Sequence, residues 1–197
     1  SVRSVAREGS LIVAGTSAGV SVSTDGGANW STTVSGANGF PASNMVAAAA
    51  IHGGVLYVGT MAGFSFSTNS GANWNTTTNG VLGFAATNTI RSVAASSTYV
   101  AVGTTAGISI STDGGTNWST TTANINGFTS SDTVLTVSIL DGTLFAGTGD
   151  GMAVSSDGGA TWETLDRAGG YPFRVVNYIW TDSTNQMVYL ATQIGFY

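Results

Sequence analysis

The chain has 197 residues, of which 42% are hydrophobic, and a formal net charge of −5 at pH 7. Only 8% of its residues are charged, against about 25% in an ordinary globular domain. It contains five arginines and no lysine, so it lacks the clustered cations on which nucleic-acid binding depends. The absence of cysteine excludes disulfides and zinc–thiolate sites. No stretch reaches the roughly 18 apolar residues that a membrane span requires.

Short β-prone runs separated by glycine-rich turns follow one another along the chain. The first begins at residues 2–5, and the second repeat shows the whole unit, with runs at 46–51, 55–60 and 64–67 and a last one at 74–78. The second run of the unit occurs five times, at 11–16, 55–60, 99–104, 143–148 and 187–192. Runs of this length and composition predict antiparallel strands. No apolar period of 3.6 residues appears, so no helix is expected.

A motif of the form Ser-x-Asp-x-Gly-x-x-Trp follows the third strand of each of the first four repeats. Its copies lie at 23–30, 67–74, 111–118 and 155–162, each starting 44 residues after the one before, and Asn69 replaces Asp in the second copy. A four-stranded antiparallel unit with a period of this length is typical of a β-propeller blade. The sequence therefore predicts an all-β fold, a single propeller domain over residues 1–197, with four complete blades and a partial fifth.

These four motifs resemble Asp-boxes, the repeat of sialidases, sortilin-type receptors, xyloglucanases and photosystem assembly factors. The resemblance covers nearly the whole chain and implies a propeller whose Asp-box turns lie away from any active site. We expect each Asp or Asn to accept backbone N–H groups of its own turn and each Trp to pack between neighbouring sheets. The structural residues are then Asp25, Trp30, Asn69, Trp74, Asp113, Trp118, Asp157 and Trp162. One carboxylate per turn is too few for calcium, and neither a metal nor a cofactor is predicted.

The two ends of the sequence leave the closure of the propeller open. The chain begins at a first strand and stops at Phe196-Tyr197, within the third strand of a fifth blade. It starts at Ser1 without a signal-peptide pattern, which suggests a mature form or a fragment of a longer chain. Three arrangements are compatible: a five-bladed ring with a three-stranded last blade, a piece of a longer propeller, or a fifth blade completed by another chain.

A second repeat lies on the face opposite the Asp-boxes, where the loops lead into the first strands. An aromatic residue follows Gly at each of four related positions, and an amide or carboxylate lies four residues after each Phe. The residues are Phe40, Asn44, Phe84, Asn88, Phe128, Asp132 and Tyr171. One interpretation is that the aromatic residues fill the gaps between blades while Asn or Asp caps a turn. The other is a set of equivalent ligand pockets, in which an aromatic platform and a polar group bind a sugar.

Enzymatic alternatives find little material in the sequence. Arg3, Arg91 and Arg174 all lie at or just before first strands, so an arginine cluster like that of sialidases is conceivable. However, the Arg-Ile-Pro signature of sialidases is absent, and the only glutamates, Glu8 and Glu163, lie away from the axis. Other glycosidases need two carboxyl groups at a set spacing.

The only carboxyl pair on the suitable face is Asp132 and Asp150, and Asp150 has the character of a solvated turn residue. His52 is the only histidine and falls in a hairpin turn, so a Ser–His–Asp triad has no evident base. We therefore expect no enzymatic activity, with a sialidase-like glycoside hydrolase as an alternative.

The sequence as a whole favours a bacterial protein that is secreted or displayed at the cell surface. We expect a non-enzymatic recognition module that binds a glycan or a protein partner through the face opposite the Asp-boxes. A structural subunit of a surface layer or filament, joined by strand exchange through the incomplete fifth blade, is a second alternative. Neither nucleic acid nor a membrane span is expected.

Overall fold

The computed structural model describes residues 1–172 and 174–196, so Tyr197 of the predicted last strand lies outside the described residues. Within them the chain forms five antiparallel sheets, four with four strands and one with three. The described residues contain no α-helix; a single 3₁₀ turn, Val81–Gly83, interrupts one loop. Accordingly, no helix in this part of the chain is long and apolar enough to cross a membrane.

Each sheet is a meander whose strands pair in chain order. The first sheet contains β1 (Val2–Glu8), β2 (Leu11–Thr16), β3 (Gly19–Ser23) and β4 (Ser31–Thr33). The second contains β5 (Val46–His52), β6 (Val55–Thr60), β7 (Gly63–Ser67) and β8 (Asn75–Thr77). The third contains β9 (Ile90–Ala95), β10 (Val100–Thr104), β11 (Gly107–Ser111) and β12 (Ser119–Thr121). The fourth contains β13 (Val134–Leu140), β14 (Thr143–Thr148), β15 (Gly151–Ser155) and β16 (Glu163–Leu165). The fifth contains β17 (Val176–Asp182), β18 (Met187–Thr192) and β19 (Gly195–Phe196).

The turn between the second and third strands of each sheet has the same construction. In the second sheet the Thr60 hydroxyl accepts the N–H of Ala62 and donates to the carbonyl of Gly63, both at 2.9 Å. Gly63 has a φ of +126°, and an added Cβ would meet the carbonyl oxygen of Thr77 on the neighbouring strand. Glycine is therefore required for both its conformation and the close approach.

Consecutive sheets pack face to face along their first strands: β1 contacts β5, β5 contacts β9, β9 contacts β13 and β13 contacts β17. The apolar core is accordingly divided into four clusters, one between each pair of neighbouring sheets. Hydrogen bonds join the same sheets, since backbone N–H groups of Ala49 and Val137 donate to the hydroxyls of Ser4 and Ser92, both at 3.0 Å. The predicted repeating unit of four strands is thus present in the first four sheets.

The two terminal sheets each leave one face uncovered by protein. Val5 on the first sheet is 61% exposed, whereas its counterpart in the third sheet, Val93, is 9% exposed. On the fifth sheet Tyr178 is 60% exposed and Trp180 is 52% exposed. These faces correspond to the ones that the internal sheets bury against each other.

Candidate functional site

A β-bulge near the start of every first strand shapes the centre of the molecule. The pairing of β1 with β2 skips from Val2 to Ser4, and the same break occurs between Val46 and Ala48. The other three first strands repeat it. The residues left without a partner are Arg3, Ala47, Arg91, Leu135 and Asn177. Because a bulge turns a side chain away from the regular alternation, it gives these positions a direction of their own.

A cavity of about 440 Å³ is lined by the first strands of all five sheets. We call it the axial cavity. Its lining includes Arg3, Arg91 and Tyr178. These residues belong to the beginnings of the first strands, which the loops from the preceding sheets enter. The Asp-box hairpins lie at the opposite ends of the blades, so the axial cavity belongs to the face opposite the Asp-boxes.

The axial cavity is positively charged. No acidic side chain is among its lining residues. In the described part of the chain the one ion pair joins Arg174 to Asp150, at 3.0 Å, and neither Arg3 nor Arg91 takes part in a hydrogen bond or ion pair there. Each guanidinium offers five N–H donors in a plane. The arrangement is therefore suited to an anionic group with several acceptor oxygens, such as a carboxylate.

The three phenylalanines of the Gly-Phe repeat are buried, which corrects the expectation of an open aromatic platform. Phe40, Phe84 and Phe128 are each 3% exposed. Each ring packs edge-on against the Asp-box Trp of the following sheet, at centroid distances of 5.3, 5.0 and 5.1 Å. A ring whose faces are covered by protein cannot stack on a sugar, and these contacts support the interpretation that the aromatic residues fill the gaps between blades.

The polar residues of the same repeat hold their own loops. One side-chain oxygen each of Asn44, Asn88 and Asp132 accepts a backbone N–H nine residues earlier, at 2.6 Å. Tyr171 differs from the phenylalanines, since it is 40% exposed. A ligand-binding role for any of these residues stays a prediction.

The Asp-box turns have the expected internal hydrogen bonds. In the first copy Asp25 accepts the Ser23 hydroxyl and the backbone N–H of Asn29, both at 2.8 Å, and the Asn29 amide at 2.7 Å. The backbone N–H of Asn29, followed by its side-chain amide, lowers the Asp25 pKa to about 2. Hydrogen bonds within their own turns likewise lower the pKa values of Asp113 and Asp157 to about 2. Turn stabilisation accounts for these perturbed pKa values.

The catalytic candidates of the sequence are engaged in structural contacts. Asp150 accepts the Ser130 hydroxyl and the Arg174 guanidinium, and these bonds lower its pKa. The Arg174 side chain is thereby directed to Asp150, and it is not among the residues lining the axial cavity. The Glu8 carboxylate accepts the backbone N–H groups of Gly53 at 3.0 Å and Gly54 at 2.6 Å, which links the first sheet to the second.

Sequence reasoning missed the exposed aromatic residues of the fifth sheet. Trp180 and Tyr189 are cross-strand partners whose ring centroids lie 5.2 Å apart, and Tyr178 lies on the same face of β17. The corresponding positions of β13 carry Thr136 and Ser138. Large aromatic residues at positions that are small in the other repeats were the available signal.

No family model matches the chain, and no curated protein matches it. Among solved structures, the extracellular domain of a protein described as a hybrid two component system from B. thetaiotaomicron superposes with a TM-score of 0.78 at 19% identity. An ancestral GH74 enzyme gives a TM-score of 0.70 at 22% identity. YCF48 from Cyanidioschyzon merolae gives 0.66 at 17% identity.

The matches cover 99%, 97% and 98% of this chain but only 27%, 27% and 65% of those proteins. The chain therefore spans about a quarter of the length of the first two structures. These similarities show that the five sheets form a propeller fold, and at such identities they show the fold alone. A specific Asp-box family is not established by them.

Proposed function

We propose that this propeller is a non-enzymatic, extracellular recognition module that binds an acidic carbohydrate through the face opposite the Asp-boxes. The observation that carries the proposal is the axial cavity, where Arg3 and Arg91 stand without acidic partners among the described residues. Hydrogen bonds to a charged group contribute about 1.5–3 kcal/mol each. Two guanidiniums on one cavity are therefore enough to discriminate a carboxylate from a neutral group.

Carbohydrate is preferred as the ligand class because the cavity also offers Tyr178, an exposed aromatic ring with a hydroxyl. Sugars combine hydroxyls with an apolar face and suit such mixed surfaces. The extracellular character of the B. thetaiotaomicron domains supports the same setting. Binding rather than hydrolysis is proposed because Asp132 and Asp150, the acidic residues predicted for this face, are held by loop contacts.

The test compares oligogalacturonate with its neutral methyl ester by isothermal titration calorimetry. We expect the wild-type protein to bind the acid and to lose affinity as salt is added. The double substitution Arg3→Ala/Arg91→Ala should weaken binding about tenfold or more. Because both side chains are exposed, their loss should leave the thermal unfolding temperature unchanged.

Arg167→Ala is the matched control, since this arginine is exposed and does not line the axial cavity. Equal binding of the acid and its ester, or undiminished binding by the double variant, would refute the proposal. Binding of acidic peptides alone would show instead that the partner is a protein.

A further inference from the structure

The exposed faces of the two terminal sheets are unlike each other in chemistry. The first face, on β1 to β4, presents Val5, Arg7 and Trp30. The last face, on β17 and β18, presents Tyr178, Trp180 and Tyr189, and Met187 beside them is 47% exposed. One face thus carries a cation beside apolar groups, and the other carries a cluster of aromatic rings. Contiguous exposed apolar surface of this kind marks interaction sites.

The internal contacts reveal which positions of two neighbouring sheets meet. Between the fourth and fifth sheets, the hydroxyls of Ser138 and Thr181 are hydrogen-bonded at 2.9 Å. The N–H of Ile179 donates to the Thr136 hydroxyl at 3.2 Å. Equivalent residues of β13, β17 and β1 can be matched one to one, because the three strands have the same length and the same bulge.

In this register Tyr178 and Trp180 occupy the positions of Thr136 and Ser138, while Val5 and Arg7 occupy those of Ile179 and Thr181. If the last face of one molecule met the first face of another as internal sheets meet, Trp180 would lie opposite Arg7. Tyr178 would lie opposite Val5. A guanidinium over an indole face gains about 0.5–2 kcal/mol.

Charge adds to this match. Glu8 contacts the turn at Gly53 and Gly54 of the next sheet, and Asp182 occupies the position of Glu8 on the fifth sheet. The same docking would therefore bring Asp182 near the turn at Gly9, whose carbonyl accepts the Arg7 guanidinium at 2.8 Å. A carboxylate and a guanidinium would then lie close together at this edge.

We propose that the first face binds the last face of a second copy of this chain, head to tail. Such a contact uses two different surfaces, so it is heterologous, and repeated copies form either a closed ring or an open chain. Aromatic residues on the last face replace the small residues of the internal interfaces, namely Ser4, Ala48, Ser92 and Thr136. The contact between copies is accordingly wider than the internal ones, and the association depends on protein concentration.

Sedimentation velocity over a range of protein concentrations tests the proposal. The wild-type protein should form dimers and larger species as its concentration rises. Trp180→Ala damages only the last face and Arg7→Glu only the first, and each should weaken self-association about tenfold or more. Arg167→Glu and Ile125→Ala are matched controls, because both residues are exposed and belong to neither face. Circular dichroism verifies that each variant is folded.

Mixing the two damaged variants provides the decisive measurement. The Trp180→Ala copy keeps an intact first face and the Arg7→Glu copy keeps an intact last face, so an equal mixture should form dimers and nothing larger. A wild-type protein that stays monomeric at every concentration would overturn the proposal. A mixture that associates no better than either variant alone would also overturn it, because the contact would not be head to tail. Arg3 and Arg91 are unchanged in these variants, so this outcome is independent of ligand binding at the axial cavity.

Discussion

Asn69 shows what a carboxylate contributes to the other Asp-box turns. Its side-chain oxygen accepts the Ser67 hydroxyl and the N–H of Asn73, both at 2.9 Å, as Asp25 and Asp113 do in their turns. In those two turns the second carboxylate oxygen also accepts an Asn side-chain amide, at 2.7 Å. Asn69 has no second oxygen, so the second turn lacks both this bond and the negative charge.

The substitution Asn69→Asp should therefore stabilise the protein at neutral pH. Asn73 stands where Asn29 and Asn117 stand, and its side-chain amide can donate to the new oxygen. We expect the pKa of the introduced carboxyl to be lowered as in the other turns, where it is about 2 against an ordinary 3.8. A carboxyl with a lowered folded-state pKa stabilises above its unfolded pKa, and this contribution disappears as the pH falls towards 2.

Thermal melts of the wild-type and Asn69→Asp proteins at pH 7, 4 and 2.5 measure this effect. The gain in unfolding temperature should be complete at pH 7 and largely lost at pH 2.5. The control is Asn79→Asp, an exposed loop residue outside the motif. An equal gain at all three pH values would contradict the electrostatic explanation.

At the scale of the elements, the Asp-box hairpin is one structure in two environments. The indole N–H of Trp30 donates to Gly27 at 3.0 Å, and that of Trp118 donates to Gly115 at 3.1 Å, so the hairpins are alike internally. Trp30 is nevertheless 47% exposed and Trp118 only 8%, because Trp118 is covered by Phe84 and Phe64 of the preceding sheet. The preceding sheet, rather than the motif, determines the burial of the Trp.

Replacing each Trp by Ala separates these two contributions. We expect Trp118→Ala to lower the free energy of unfolding by about 3–5 kcal/mol, as is usual for a buried aromatic residue. Trp30→Ala should cost much less, since it removes the same hairpin bond and little packing. Urea titrations measure both values. Similar losses for the two variants would mean that the Trp stabilises its own hairpin and not the contact between sheets.

The motif was sufficient to predict the hairpins but not what covers them. The spacing of Ser23, Asp25 and Trp30 determines local hydrogen bonds, and these are as expected from the sequence. The alternatives for Phe84, a gap-filling residue or a ligand platform, differed only in whether a neighbouring sheet covers the ring. That depends on contacts between residues far apart in the chain, about which the local pattern is silent.

The axial cavity illustrates the same limit for the whole molecule. The positions of Arg3 and Arg91 on first strands were predictable, since both precede Ser and Val in aligned repeats. The bulges that leave them unpaired were not, because a bulge appears only when the register against the second strand is known. Trp180 was missed because a single repeat departs from the common pattern there.

The arrangement of the sheets predicts a gradient of stability across the molecule. In repeat architectures each unit is stabilised mainly by its neighbours, and regions with few buried contacts open most readily. In the third sheet, β10 and β11 are buried along their whole length. In contrast, β1 and β18 are largely exposed or half-buried and have a neighbouring sheet on one side only.

Hydrogen exchange followed by mass spectrometry measures this gradient in dilute protein. Peptides from β10 and β11 should exchange slowest, and those from β1 and β18 fastest, because opening a terminal sheet breaks one interface and opening an internal sheet breaks two. Raising the protein concentration should then slow exchange in β1 and β17 selectively if a second copy covers the first and last faces, with β10 as the internal control. Uniform exchange across all five sheets would instead show that the propeller opens as one cooperative unit.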